Sequence, residues 1–303
     1  MGSRGVAYRE VVAKSALTRV RGMPFAWSLN PYRGCSHACT YCFAREYHAR
    51  MGRDTGAGFD REIEVKVNFP DVLAAELRHL RQRETVALGT GTDPYQPCEG
   101  RYRLTRRTLD ALVASPLPLV IVTKGTLIVR DIDLLARLNR SVDVRVCFSV
   151  STISDDVARR SEPDAPPPRA RLEAMRRLVA AGIEAGVLCA PVLPGLTDSE
   201  EALDAVGAAA AENGAAFLHS RPLKLDPGVR GHYFAFLADH FPVLLPPTAA
   251  QFADRVNPAR GYDEELEQRF DRVRARHGFT DDDRPRARRQ PEREGVAQLR
   301  LAI

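Results

Sequence analysis

Apolar residues fall into two alternating patterns along the chain. Short extended runs, bounded by Gly, Pro or Asp, occupy Phe25–Tyr32, Thr85–Gly89, Leu117–Thr123, Asp143–Thr152, Gly186–Leu193 and Ala215–Arg221. Apolar positions at helical spacing mark Phe43–Met51, Pro70–Arg83, Thr105–Ala114, Asp131–Asn139, Ala170–Ala181, Asp198–Asn213 and Arg230–Asp239. Asp198, with Glu201 three residues on, reads as a capping box that opens its helix. Six strand–helix units in succession predict an α/β fold with a parallel sheet and right-handed crossovers. A closed eight-unit barrel takes roughly 250 residues. Only about 215 separate the first strand from residue 240. The pattern therefore predicts a partial (β/α)6 TIM-like barrel over residues 25–240. Residues 1–24 and 241–303 become N- and C-terminal extensions. Asp281–Gly295, with alternating charge and two prolines, is expected to be mobile or peripheral.

Period two within the fourth run assigns its faces. Val144, Val146, Phe148 and Val150 share one side, which should meet the helices. Arg145, Cys147, Ser149 and Ser151 share the other, which should look into the barrel. Ser149 and Ser151 then stand near the carboxyl end of the strand, where such folds build their sites.

Composition narrows the class. With 303 residues, 44% hydrophobic and 27% charged, the chain can bury a full core without disulfides. A disordered chain, a collagen and a coiled coil are excluded. The most apolar stretch, Val113–Val122, is too short to span a bilayer and is broken by Pro116 and Pro118. No signal-peptide core is evident, and Val6 stands where a myristoylation signal needs Ser or Thr. A cytoplasmic protein without a membrane partner is expected. The net charge of +5 is unevenly spread: residues 1–60 carry nine basic and four acidic side chains. Arg101–Arg107 packs four Arg and a Tyr after the second strand, on the side where substrate would enter. Both features suit a phosphate-bearing partner.

Candidate chemistry concentrates in Cys35-Ser-His-Ala-Cys39-Thr-Tyr-Cys42. Three cysteines crowded into eight residues do not make a disulfide framework. Three thiolates can instead hold three irons of a [4Fe–4S] cluster and leave the fourth open. A zinc site completed by His37 or His48 is the alternative ligand set. Cys147 and Cys189 are expected to be buried, inert thiols. Trp27, the single tryptophan, is expected in the core.

The CxxxCxxC spacing after a first strand resembles the radical S-adenosylmethionine superfamily. The fuller string NPYRGCSHACTYCFAR, with GTGTDPYQP and EPDAPPPRARL, resembles its spore photoproduct lyase-like (DNA repair photolyase-like) branch. The similarity runs from about Tyr8 to Leu225. It implies a [4Fe–4S] cluster on Cys35, Cys39 and Cys42, with S-adenosylmethionine on the open iron. Reduction by a flavodoxin or ferredoxin would cleave the cofactor to a 5′-deoxyadenosyl radical for hydrogen abstraction.

The resemblance also assigns roles. Tyr41 would border the adenine. Gly89, Thr90, Gly91, Thr92 and Asp93 would receive the methionyl amine. Lys124 would pair with the carboxylate. Ser149 and Ser151 would meet the ribose or the carboxylate, and Pro191 would back the adenine. Glu162 and Arg171 would gate or bind the cofactor. The repair enzyme also has a cysteine hydrogen donor at the end of its second strand. Here that stretch holds none, and Cys98, a few residues downstream, is the candidate. Phe43 stands where the repair enzyme has a tyrosine. The implied substrate is a damaged or modified nucleic acid base. The alternatives are radical modification of a peptide or small molecule, and a non-catalytic iron–sulfur redox sensor.

Overall fold

A computed structural model describes residues 5–280 of the chain. Its first half-dozen elements are short: β1 (Ala7–Val11), β2 (Thr18–Arg19), β3 (Trp27–Leu29), β4 (Tyr32–Arg33), α1 (Arg45–Arg50) and α2 (Ala57–Arg61). After β5 (Glu62–Lys66) and α3 (Phe69–His79), strand and helix alternate. Next come β6 (Val86–Leu88), α4 (Glu99–Tyr102), α5 (Leu104–Ala114), β7 (Leu119–Thr123) and α6 (Ile132–Asn139). They lead to β8 (Val144–Ser149), α7 (Asp155–Ser161), α8 (Pro168–Ala180), β9 (Glu184–Val192) and α9 (Glu200–Glu212). Then follow β10 (Leu218–Pro222), α10 (Pro227–His240), α11 (Leu245–Gln251) and α12 (Arg260–Arg276).

The main sheet runs β2-β3-β6-β7-β8-β9-β10. From β3 to β10 every pairing is parallel, so six parallel strands follow one another in chain order. This is the partial (β/α)6 barrel that the alternating pattern predicts. β2 adds an antiparallel edge through Thr18–Ser28. The periodicity missed a second sheet, of order β1-β5-β4. Its strands are two to five residues long; β5 does alternate, with Ile63 and Val65 buried, but β1 and β4 carry no such period.

The strand parity read from sequence holds as far as Val150. Val144, Val146, Phe148 and Val150 are buried in the core beneath the helices. Cys147 and Cys189 are buried free thiols, as expected. Trp27 packs against the same core, half buried. α9 is capped one residue later than predicted: Ser199, not Asp198, accepts a bond from the Ala202 N–H. Asp198 is otherwise engaged, accepting from Gly195 N at 2.8 Å and from the Tyr262 hydroxyl at 3.0 Å. The expected mobility of Asp281–Gly295 falls outside the described residues. No helix among the described residues is long and apolar enough to cross a membrane.

Candidate functional site

Parallel strands in register bring their carboxyl ends to one rim. Thr123 of β7 pairs with Phe148 of β8, and Ser149 pairs with Leu188 of β9. A cavity of about 270 Å³ opens at that rim. The cysteine loop roofs it.

That loop is shaped by its neighbours. Gly34 has φ +79°, and a Cβ there would lie 2.9 Å from the Phe59 carbonyl, so only glycine fits. Cys35 N donates to that same carbonyl at 3.0 Å. Arg45, wholly buried, donates to the Cys39 carbonyl at 2.9 Å and pairs with Asp60 at 2.7 Å. Cys35, Cys39 and Cys42 all line the cavity as free thiols. Burial pushes all three pKa values up; beside Cys35, Asp93 and the other two thiols raise it further. Three such thiols ionise together only against a local positive charge, as bound metal provides.

The three free thiols offer sulfur ligands that either a cluster or a zinc ion accepts. Among the described residues, no group of three or more His, Cys, Asp or Glu side chains is arranged to hold one metal ion. Tetrahedral zinc would need sulfur atoms about 3.8 Å apart, given its bond lengths. A cluster takes each thiolate on a different iron. His37, the zinc alternative, turns its Nδ1 to Asp93 Oδ2 at 3.4 Å. His48 Nδ1 faces the Asp54 carbonyl at 3.2 Å.

The cavity lining includes most of the residues singled out from sequence. Tyr41, Gly89 to Asp93, Lys124, Ser149 and Pro191 line the cavity. The β6 turn is drawn tight at Gly89, whose φ is +94° and whose hypothetical Cβ would sit 2.3 Å from the Val122 carbonyl. Gly91 N donates to Asn30 Oδ1 at 2.8 Å, and the Thr90 hydroxyl meets Ser28 Oγ at 2.6 Å.

Lys124 belongs to a buried charge network. Its Nζ lies 3.8 Å from Glu162 Oε1 and 5.6 Å from the centre of the Tyr41 ring. Glu162 also accepts from the Tyr41 hydroxyl and from Arg171. Arg171 in turn donates to the Ser149 carbonyl at 2.9 Å. Burial works against both charges, yet Arg171 and Lys124 hold the Glu162 pKa down. Burial likewise opposes charge on Lys124, and Cys39 and Glu162 outweigh it to raise its pKa. Two cations share Glu162, and Lys124 lines the cavity, where its ammonium can meet an anionic group.

Three expectations need correction. Ser151 does not line the cavity: it lies two residues beyond the end of β8 at Ser149. Its buried hydroxyl lacks a hydrogen-bond partner. Cys98 is not brought to the cavity either. It caps α4 and packs with Tyr32, Ile63, Val65 and Leu104 in a side cluster, where burial drives its thiol pKa far up. A thiol 2% exposed there cannot reach a substrate in the cavity. The Arg101–Arg107 stretch is also turned away. Arg106 pairs with Asp131 and Asp133, Arg107 pairs with Asp71, and none of its arginines lines the cavity.

Arg221 and Lys224 occupy the mouth instead, both exposed. Beside them Phe43, 47% exposed, packs edge-on against Tyr47 with centroids 6.0 Å apart. Sequence reasoning singled out Phe43 but missed Arg221, Lys224 and Tyr47. Arg221 closes the last apolar run, so its place at the strand's carboxyl end was the available signal.

Residues 29–206 match the sequence model described as the Radical SAM superfamily. The chain belongs to that superfamily. It is 41% identical over 285 residues to the uncharacterized protein Rv2578c of Mycobacterium tuberculosis, covering 93% of this chain and 84% of that one. Its fold is that of spore photoproduct lyase. The lyase complexed with dinucleoside spore photoproduct superposes with a TM-score of 0.67 at 16% identity, covering 89% of this chain and 79% of that one. A radical SAM methyltransferase from Sphaerobacter thermophilus gives 0.51 at 17% identity, over 87% and 66% of the two chains.

Proposed function

We propose that Cys35, Cys39 and Cys42 ligate a [4Fe–4S] cluster, that S-adenosylmethionine binds in the adjoining cavity, and that the enzyme abstracts hydrogen from a nucleic acid base. One observation carries this reading. Three free thiols share a single cavity with the Gly89–Thr92 turn, Lys124, Ser149 and Pro191. A cluster held by Cys35, Cys39 and Cys42 would supply one electron for reductive cleavage of S-adenosylmethionine.

The chain's own residues do the rest. Carbonyls and hydroxyls of the Gly89–Thr92 turn accept from the methionyl ammonium. Lys124 pairs with the carboxylate. Ser149 meets the ribose, while Tyr41 and Pro191 flank the adenine. Apolar walls from Val122, Leu188 and Leu223 keep water from the reacting atoms. The electron comes from a flavodoxin or ferredoxin, since the reaction consumes one per cleavage.

The nucleic acid reading rests on the mouth of the cavity. Exposed aromatic rings with neighbouring cations are the elements of a single-strand platform: bases stack on the rings and phosphates meet the cations. Phe43 and Tyr47 supply the rings; Arg221 and Lys224 supply the charge.

Anaerobic reconstitution tests the chemistry. The expected result is about four irons per chain and 5′-deoxyadenosine formed on reduction. Zinc at high occupancy, or iron without deoxyadenosine, overturns it; the latter describes a redox sensor. Titration with single-stranded and duplex DNA at two salt concentrations tests the substrate. Binding should weaken with salt, and Arg221→Ala with Lys224→Ala should flatten that slope by about one unit per lost contact. Cofactor cleavage without any DNA binding at low salt would shift the substrate to a peptide or small molecule.

A further inference from the structure

Gln96 lies outside every role assigned above, yet it is wholly buried directly behind the cysteine loop. Its amide is fully engaged. Oε1 accepts from Ser36 N at 3.0 Å and faces the Ser36 hydroxyl at 3.4 Å. Nε2 donates to the Gly34 carbonyl at 3.1 Å and to Thr92 Oγ1 at 3.0 Å. Thr92 donates in turn to the same Gly34 carbonyl at 2.6 Å. Gln96 therefore grips the backbone on both sides of Cys35 and ties it to the turn after β6.

Asp93 completes the grip. Its Oδ1 accepts from Tyr95 N at 2.8 Å and from the Thr123 hydroxyl at 2.7 Å. Its Oδ2 accepts from Lys124 N at 2.6 Å and faces His37 Nδ1 at 3.4 Å. Asp93 lines the cavity, but both oxygens are taken by protein groups. Its carboxylate joins the cysteine loop, the β6 turn and the end of β7. An ammonium in the cavity is left with the Gly89–Thr92 segment.

We propose that Gln96 and Asp93 are positioning residues that set the Gly34–Ser36 turn, and with it Cys35, before iron arrives. The inference rests on the reading of Cys35, Cys39 and Cys42 as cluster ligands. The physical reason is that the loop between β4 and α1 lies in no ladder of its own at Cys35. Side-chain hydrogen bonds from a neighbouring, rigid turn replace that scaffold.

Two readouts test this. The first uses iron-free protein: the rate at which Cys35, Cys39 and Cys42 are alkylated, mapped peptide by peptide against Cys147 and Cys189. The second is iron and sulfide content after reconstitution. Gln96→Glu keeps the acceptor and the shape but loses both donated bonds; Gln96→Leu loses all four contacts. Both should speed alkylation of the loop cysteines alone and weaken iron retention by about 10–100-fold, the usual cost of removing a residue that orients ligands. Leu203→Ala, in the α9 core, serves as a control of comparable instability. It should leave loop alkylation and iron content unchanged.

Wild-type protection and loading in the Gln96 variants overturns the proposal. So does a Leu203→Ala variant that exposes the loop equally, because the effect would then be general loosening. If wild-type protein takes up no iron, the cluster reading fails, while the alkylation result still decides whether Gln96 holds the loop.

Discussion

At the scale of single residues, buried charge decides what the cavity can accept. Arg171 and Lys124 both pair with Glu162 beside Tyr41 and the thiols, and Asp93 adds a second carboxylate to the cavity. Lys124→Met should weaken S-adenosylmethionine binding by roughly tenfold to a hundredfold, the range for losing a charged hydrogen bond. Equilibrium binding to reconstituted protein measures it, and unchanged affinity would remove Lys124 from the site. A second carboxylate, Glu64, tests electrostatics away from the cavity. Burial disfavours its charge, but Arg9, Arg53 and Arg33 outweigh burial and hold its pKa down to about 2. A depressed pKa adds stability above the unfolded value of about 4.3 and loses it as pH falls toward the folded one. Glu64→Gln should thus melt below wild type at neutral pH, with the gap closing as pH falls from about 5 to about 2. A constant gap in thermal melts across that range would refute this account.

At the scale of elements, the strand ends depend on backbone that approaches too closely for side chains. Gly89→Ala would force a Cβ against the Val122 carbonyl at a positive φ. Such strain costs on the order of 1–3 kcal/mol before any clash is counted. Denaturant unfolding should show at least that loss, together with weaker cofactor binding because the turn must shift. Helix α9 offers a cleaner test. Ser199→Ala should cost about 1 kcal/mol, the usual value of an N-cap. Replacing Asp198 should act through its bonds to Gly195 and Tyr262 instead. Equal melting temperatures for Ser199→Ala and wild type would contradict the observed cap.

At the scale of the whole molecule, residues 7–19 are stitched into the body. β1 pairs in parallel with β5 from Ala7–Glu62 to Val11–Lys66. Ala13 N donates to Asn68 Oδ1 at 2.7 Å, and Leu17 N donates to Glu76 at 2.8 Å. β5 in turn pairs with β4, immediately before the cysteine loop. A chain begun at residue 25 should therefore be less stable and should load iron poorly, although every ligand is present. Circular dichroism and iron content check this. Full loading of the shortened chain would show that the small sheet is dispensable to the loop.

Local pattern alone determined the six parallel strands, most of the helices between them, and the crowded cysteines. These depend on periodicity and spacing, which a chain carries before it folds. The parity of β8 placed Ser149 correctly and failed at Ser151, which lies two residues beyond the end of the strand. Resemblance supplied candidate roles but not directions: Asp93 faces protein partners, Cys98 faces a side core, and Arg106 and Arg107 face carboxylates. Tertiary structure alone decided those directions, and it alone brought Gln96 against Ser36, sixty positions apart. A hydrogen bond between distant residues leaves no period and no motif, since it depends on how two turns are laid side by side by strands that fold independently of it.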